Sequence, residues 1–239
     1  MRKENPVIVA LDVSTRKEAE DLVKELIEHV SIYKVGYQLF ISEGVNIIRM
    51  IQNRGGKVFL DLKFHDIPSV TSKAVEVAIR ENVYMLTIHA LGGKRMLEEV
   101  VKKVKTLCEG HRKDEPLLLG VTILTSLEEK DLYQMGFSPS LREEIIRLVR
   151  ICKESNLNGV VCAGGEIALI RERIKDNFLI VTPGVRLKKL SSDDQRRTVT
   201  VEEALKYGAD YIVIGRAITR SKKPKSEIEL ILEKIRKMC

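Results

Sequence analysis

Eight short runs of aliphatic and β-branched residues recur along this chain, each followed by a stretch with helical periodicity. That alternation restricts the fold more than any other feature of the sequence. The runs are Val7–Val13, Ile32–Gly36, Lys57–Lys63, Met85–Ala90, Leu117–Leu124, Gly159–Ala163, Leu179–Val185 and Tyr211–Gly215. Between them, Ala19, Leu22, Val23, Leu26 and Ile27 share one helical face, as do Met96, Leu97, Val100, Val101 and Val104. Apolar strands joined by amphipathic helices describe a parallel sheet covered by helices. Eight repeats of that unit close on themselves. The expected class is therefore α/β, and the expected fold is a single (β/α)8 TIM barrel over residues 1–239. A doubly wound open sheet is the alternative. It needs a glycine-rich turn after the first strand, and Leu11-Asp12-Val13-Ser14-Thr15 carries none.

Element boundaries are marked locally. Thr15 with Glu18, Thr200 with Glu203 and Ser226 with Glu229 have capping-box spacing, and Gly55-Gly56 is expected to end the second helix. The longest polar stretch without an evident element is Leu187–Thr198, which follows the seventh run and reads as a functional loop.

Composition narrows the function classes. Apolar residues make up 44% and charged residues 31%, enough for a sizeable core under a solvated surface. The net charge of +7 suits an anionic ligand, yet the lysines and arginines are spread along the chain as solvated surface charge would be. With no Trp and 5% aromatic residues, no nucleic-acid partner bound by base stacking is expected. No apolar run approaches the ~20 residues that span a bilayer, so no membrane association is expected. The first run is short and interrupted by Asp12, unlike a signal peptide. Cys108, Cys152, Cys162 and Cys239 form no Cys-x-x-Cys pair, and no histidine stands beside one at ligand spacing. Neither a metal site nor a disulfide framework is expected, and a reducing cytoplasm fits.

In a parallel barrel the active site lies at the C-terminal ends of the strands. Asp12 stands near the end of the first run, and Lys34 lies in the second. The third ends in Asp61-Leu62-Lys63 and runs on through Phe64-His65-Asp66-Ile67-Pro68. Charges within apolar strands are costly unless paired, and residues two apart on a strand face the same side. Asp12, Lys34, Asp61, Lys63 and Asp66 alternate in sign and are expected to form one buried network. His65 and His89 lie beside it and are expected to support it rather than to act as bases. Leu124-Thr125-Ser126 closes the fifth run, the seventh leads into Pro183-Gly184-Val185-Arg186, and the eighth ends in Gly215-Arg216. The corner after strands seven and eight is the usual phosphate site of such barrels. Gly215 permits close backbone approach, and Arg216 offers a fork of donors. Arg186 and Gln195 are positioned to close over the same anion.

Taken in order, these segments resemble the orotidine 5′-phosphate decarboxylase family. The resemblance is carried by Ala10-Leu11-Asp12-Val13, Lys34-Val35-Gly36, the stretch from Asp61 to Pro68, Leu124-Thr125-Ser126, Thr182-Pro183-Gly184-Val185-Arg186, Asp193-Asp194-Gln195 and Gly215-Arg216. It implies decarboxylation of orotidine 5′-phosphate to uridine 5′-phosphate and carbon dioxide without a cofactor, the last step of de novo pyrimidine nucleotide synthesis. In that picture Lys63 delivers a proton to C6 of the pyrimidine, and Asp61 lies against the substrate carboxylate. Lys34 and Asp66 complete the array, while Asp12 and Lys34 also hold ribose hydroxyls. Thr125 and Ser126 read the pyrimidine edge. Arg186, Gln195, Gly215 and Arg216 grip the phosphate, and Pro68 and Pro183 add substrate contacts. Leu187–Thr198 is the closing loop. Asp66 and Ile67 reach into a neighbouring subunit's site, which implies a homodimer with shared active sites. One departure is Val70, where many relatives carry Thr. A ribose contact from that side chain is lost, with Ser69 or Thr71 as the available substitutes.

Two other readings share parts of this pattern. Magnesium-dependent 3-keto-gulonate 6-phosphate decarboxylase and hexulose phosphate synthase have the same Asp-x-Lys-x-x-Asp spacing. The Ile67-Pro68 continuation and the segment Thr182 to Arg186 favour the pyrimidine enzyme. A non-enzymatic, nucleic-acid-binding barrel rests only on the net charge.

Overall fold

The computed structural model describes residues 5–111, 114–137, 140–175, 177–186 and 199–238. Eight strands form a closed barrel: β1 (Val7–Ala10), β2 (Ile32–Val35), β3 (Lys57–Phe64), β4 (Met85–His89), β5 (Leu117–Val121), β6 (Gly159–Val161), β7 (Leu179–Thr182) and β10 (Tyr211–Ile214). Each pairs in parallel with its chain neighbour, and β10 closes the ring against β1. The expected α/β barrel is the observed one, built from the eight expected runs. The strands mostly stop short of the runs because the last residues of each run leave the ladder to form the rim.

Both faces of every strand are covered, which is why the runs read as nearly continuous apolar sequence. One set of alternating residues fills the barrel interior: Ile8, Ala10, Ile32, Phe59, Met85, Leu119, Val181 and Val213. The other set, including Val7, Val9, Tyr33, Val35, Val58 and Leu60, packs under the helices. At the N-terminal end of the barrel Tyr84, Leu117, Leu179 and Tyr211 pack against the interior set, and the hydroxyls of Tyr84 and Tyr211 meet at 3.5 Å.

The α-helices among the described residues are α1 (Arg16–Leu26), α2 (Tyr37–Glu43), α3 (Asn46–Gln52), α4 (Pro68–Arg80), α5 (Gly93–His111), α6 (Glu129–Gln134), α7 (Leu141–Glu154), α8 (Ile167–Arg173), α9 (Val201–Tyr207), α10 (Arg216–Thr219) and α11 (Pro224–Arg236). Thr15 caps α1 by accepting from the Glu18 amide at 3.2 Å, and Thr200 with Glu203 forms a complete capping box on α9. The third expected box is corrected. Helix α11 begins at Pro224 with Lys223 as its N-cap, so Ser226 lies inside its first turn. Proline suits that first position because its φ is preset and it has no N–H to leave unpaired. The single second helix is corrected too. Gly44, at φ +59°, breaks it into α2 and α3 before Gly55, at φ +83°, turns the chain into β3.

A feature not anticipated from the sequence is a two-stranded parallel sheet, β8 (Val185–Arg186) with β9 (Val199–Thr200). It pairs the residues that flank positions 187–198, and those twelve positions lie outside the described residues. Val199 packs so closely over Gly164 that a Cβ there would stand 2.2 Å from its Cγ2. Glycine at 164 therefore sets how near this small sheet sits to the barrel.

Candidate active site

Four side chains form a charged chain across the C-terminal ends of β1, β2 and β3. Lys34 Nζ lies 3.1 Å from Asp12 Oδ1 and 3.6 Å from Asp61 Oδ2, and Lys63 Nζ donates to Asp61 Oδ1 at 3.0 Å. Strand register brings them together. Ala10 pairs with Lys34 and Lys34 with Phe59, while the Leu11 amide extends the ladder by donating to the Lys34 carbonyl at 2.9 Å. Asp12 is thus delivered beside Lys34, and Asp61 one step beyond Phe59 on the same face. Gly36 leaves room for the cluster, since a Cβ there would lie 3.2 Å from Lys34 Nζ.

The array is electrically self-supporting. Burial, the largest influence on Asp61, pushes its carboxyl upward, but the charges of Lys34 and Lys63 with hydrogen bonds from Lys63 and Thr87 hold it below the ordinary aspartate value. Burial works against the Lys34 ammonium in the same way, and Asp61 with Asp12 outweighs it, so this amine sits above the usual lysine value. Both groups are therefore charged near neutrality, although Asp61 is only 13% and Lys34 11% exposed.

Lys63 occupies a special backbone position. Its φ is +44°, a left-handed conformation that costs a side-chain-bearing residue about 1–2 kcal/mol. The strain arises where the register between β3 and β4 shifts, between Leu60 and Phe64. The Lys63 amide donates to the Thr87 hydroxyl at 2.8 Å, and that hydroxyl donates to Asp61 Oδ1 at 3.1 Å. Thr87 was not among the residues singled out from the sequence. Its one signal was position, because it shares the inward alternation of Met85 on β4.

Beside the array opens a cavity of about 240 Å³. Asp12, Lys34, Asp61 and Lys63 line one side of it; Thr125, Pro183, Arg186, Gly215 and Arg216 line the rest of the mouth, over apolar walls from Phe59, Val121, Val161 and Val213. Those apolar walls also went unremarked in the sequence, where they read as ordinary core. Burial, and then the neighbouring charge of Arg216, lowers the pKa of Arg186. Two guanidiniums are thus held close enough to feel one another, a corner suited to a multiply charged anion.

Other expected site residues fall elsewhere. Asp66 is exposed and stands outside the buried array; its carboxylate accepts from the Ile67 amide at 2.6 Å. Ile67, Pro68 and Ser126 do not line the cavity, and Ile67 is 63% exposed. Thr71 is no substitute for a hydroxyl at Val70: it is buried, accepting from the Asp66 amide at 3.2 Å and donating to the Asp66 carbonyl at 3.1 Å. Gln195 lies outside the described residues. His89 stacks on His65 at 5.1 Å, and its Nδ1 accepts from the Leu91 amide at 3.3 Å. Burial, then the charges of His65 and Lys63, press its pKa down to about 4, so it is neutral at physiological pH and supports the rim.

Comparison with known proteins gives a consistent result. The family model described as Orotidine 5′-phosphate decarboxylase / HUMPS family matches residues 5–231. An orotidine 5′-phosphate decarboxylase of Actinobacillus succinogenes is 42% identical over 221 residues, covering 92% of this chain and 94% of its own. One of Dictyoglomus turgidum is 42% identical over 236 residues, covering 98% of this chain and 97% of its own. The crystal structure of orotidine 5′-phosphate decarboxylase from Lactobacillus acidophilus matches with a TM-score of 0.81 at 31% identity, covering 96% of this chain and 98% of that one.

The pairing of Asp61 sets a pH signature. Its depressed pKa contributes stability that is present above the unfolded value of ~3.9 and is lost as pH falls through the lower folded value. Asp61→Asn is expected to destabilise the protein by about 2 kcal/mol at pH 7, by leaving the mostly buried Lys34 ammonium and the half-buried Lys63 ammonium short of a partner. In urea melts the gap between wild type and variant should be steady near neutrality and close as pH drops below ~4. A gap independent of pH would show that the ionised carboxylate is not what stabilises this region.

Proposed function

From the premise that this chain belongs to the orotidine 5′-phosphate decarboxylase / HUMPS family, we propose how its rim residues act. The chain is a carboxy-lyase that converts orotidine 5′-phosphate to uridine 5′-phosphate and carbon dioxide, completing de novo pyrimidine nucleotide synthesis. The observation that carries the site assignment is the Lys63 ammonium, held 3.0 Å from Asp61 in a cavity whose mouth also bears Arg186 and Arg216. The magnesium-dependent sugar-phosphate alternative is not favoured, since the relatives 42% identical to this chain are orotidine 5′-phosphate decarboxylases.

The chemistry demands such a cation. When the bond between C6 and the carboxyl carbon breaks, its electron pair stays in the plane of the pyrimidine ring, where the π system cannot spread it. Lys63 stands as a fixed positive charge toward that carbon, and it costs no reorganisation as the negative charge grows. It then donates an Nζ proton to C6 and is left as the neutral amine. Asp61 keeps Lys63 charged and aimed. It also sets a negative charge beside the substrate carboxylate, and that repulsion is relieved as neutral carbon dioxide departs. Lys34 and Asp12 hold ribose hydroxyls, and Thr125, at the cavity mouth, meets the pyrimidine edge. Pro183 packs at the mouth. Arg186, Gln195, Gly215 and Arg216 take the phosphate, far from the reacting bond. The energy of that grip orders the site around the base rather than touching the chemistry directly.

The active unit is a homodimer. Asp66, Ile67 and Pro68 follow β3 but do not line their own cavity, which leaves them open to serve a partner's site. Tyr37, Ile41, Val70 and Leu91 are further exposed apolar side chains, on the segments that follow β2, β3 and β4. Residues 1–239 work as one catalytic domain, and the enzyme acts in the cytoplasm. That setting accords with Cys108, Cys152 and Cys162 being buried.

Three measurements test this reading. Wild-type protein treated with a chelator should bleach the absorbance of orotidine 5′-phosphate, and Lys63→Ala should lower that turnover by about 10⁴-fold or more while still binding uridine 5′-phosphate. Near wild-type turnover in the variant would remove Lys63 from its role. Arg216→Ala should cut kcat/KM for the phosphorylated substrate by roughly 10- to 100-fold and leave the unphosphorylated nucleoside nearly unaffected. Equal losses on both would argue against phosphate recognition. Mixing inactive Asp66→Asn and Lys63→Ala subunits should recover part of the activity; proven heterodimers with none would reject shared sites.

A further inference from the structure

Four residues of β3 span the distance covered by two residues of β4, since Leu60 pairs with Leu86 and Phe64 with Ile88. Asp61, Leu62 and Lys63 therefore bow out of the ladder where Thr87 is the inward-facing residue on β4. A bulge of this kind re-aims side chains and leaves backbone groups without ladder partners. Among the described non-glycine residues only Lys63, Asn82 and Asn156 have positive φ. Asparagine enters that region at less cost than lysine, so surrounding contacts are needed to hold Lys63 there.

We propose that the Thr87 hydroxyl is that holding group: a positioning residue that ties the backbone of Lys63 to the carboxylate of Asp61. The hydroxyl uses its acceptor for the Lys63 amide at 2.8 Å and its proton for Asp61 Oδ1 at 3.1 Å. Lys63 Nζ donates to the same Oδ1 at 3.0 Å, which closes a ring through both ends of the lysine. Thr87 is fully buried. The bow in β3 is thereby fixed in one shape, and the ammonium points where Asp61 points. Without the hydroxyl, the Lys63 amide loses its partner and Asp61 loses one of the donors that stabilise its charge. Lys34, Lys63 and Tyr37 are the titratable groups left to act on it.

The consequence for catalysis rests on the assignment of Lys63 as the proton donor. The test therefore pairs turnover with a readout that needs no activity. Thr87→Val keeps the volume and removes the hydroxyl, and Thr87→Ser keeps the hydroxyl. Thr87→Val is expected to lower kcat by about 10- to 100-fold, with KM and uridine 5′-phosphate affinity within about threefold of wild type. Thr87→Ser should return kcat to within about threefold. By carboxyl-carbon NMR, Asp61 should titrate at higher pH in Thr87→Val than in wild type or Thr87→Ser, and the Lys63 amide should exchange faster. If the valine variant does not fold, Thr87→Cys, with only a weak donor and acceptor, should show the same losses. Unchanged kcat and Asp61 titration in Thr87→Val would overturn the proposal, as would a serine variant as impaired as the valine one. Wild-type protein inert toward orotidine 5′-phosphate would reject the decarboxylase reading instead, and the NMR titration would still judge the role of Thr87.

Discussion

Asp61 stays ionised in a mostly buried strand because ammonium groups flank it on both sides. Withdrawing a carboxylate from water costs several kcal/mol, and one opposite charge about 4 Å away returns ~4 kcal/mol at the effective dielectric of a protein rim. One partner leaves that balance near even, whereas Lys34 and Lys63 together tip it toward the charged form. Lys34 is in the same position, with Asp12 and Asp61 for partners. Asp61 and Lys34 each need partners to stay charged, so the site depends on β1, β2 and β3 keeping their register. The barrel supplies it through ladders buried on both faces.

That interdependence explains how one fold can present a cation with no prosthetic group behind it. The charges are paid for when the chain folds, so none has to be assembled during the reaction. The two guanidiniums stand at a separate part of the rim, on the return side of the ring where β7 and β10 end. Arg186 and Arg216 thus follow different strands from the one that carries Asp61 and Lys63.

The barrel was legible because double-sided burial writes long apolar runs that few other folds require. Asp12, Lys34, Asp61 and Lys63 were legible for the converse reason: charge inside such a run has to be explained. What escaped the sequence was geometry that residue types do not encode. Thr87 reads as ordinary β-branched strand until the bulge in β3 turns its hydroxyl into a partner for Lys63. Asp66 has the spacing of a fifth network member, yet the turn after Phe64 carries it outward, where Thr71 fixes its backbone. The pairing of Val185–Arg186 with Val199–Thr200 needed tertiary contacts, because two-residue strands leave no periodic trace. At α11 a plausible serine cap gave way to Pro224, a stronger starting signal two residues earlier.

The tyrosines at the far end of the barrel carry a kinetic implication. Tyr84 and Tyr211 meet beneath a filled interior of Ile8, Phe59, Met85 and Val213, so the described barrel has no rear exit. Nucleotide and gas must share one doorway. A molecule still seated in the cavity therefore stands in the way of the next one, since both use the same rim.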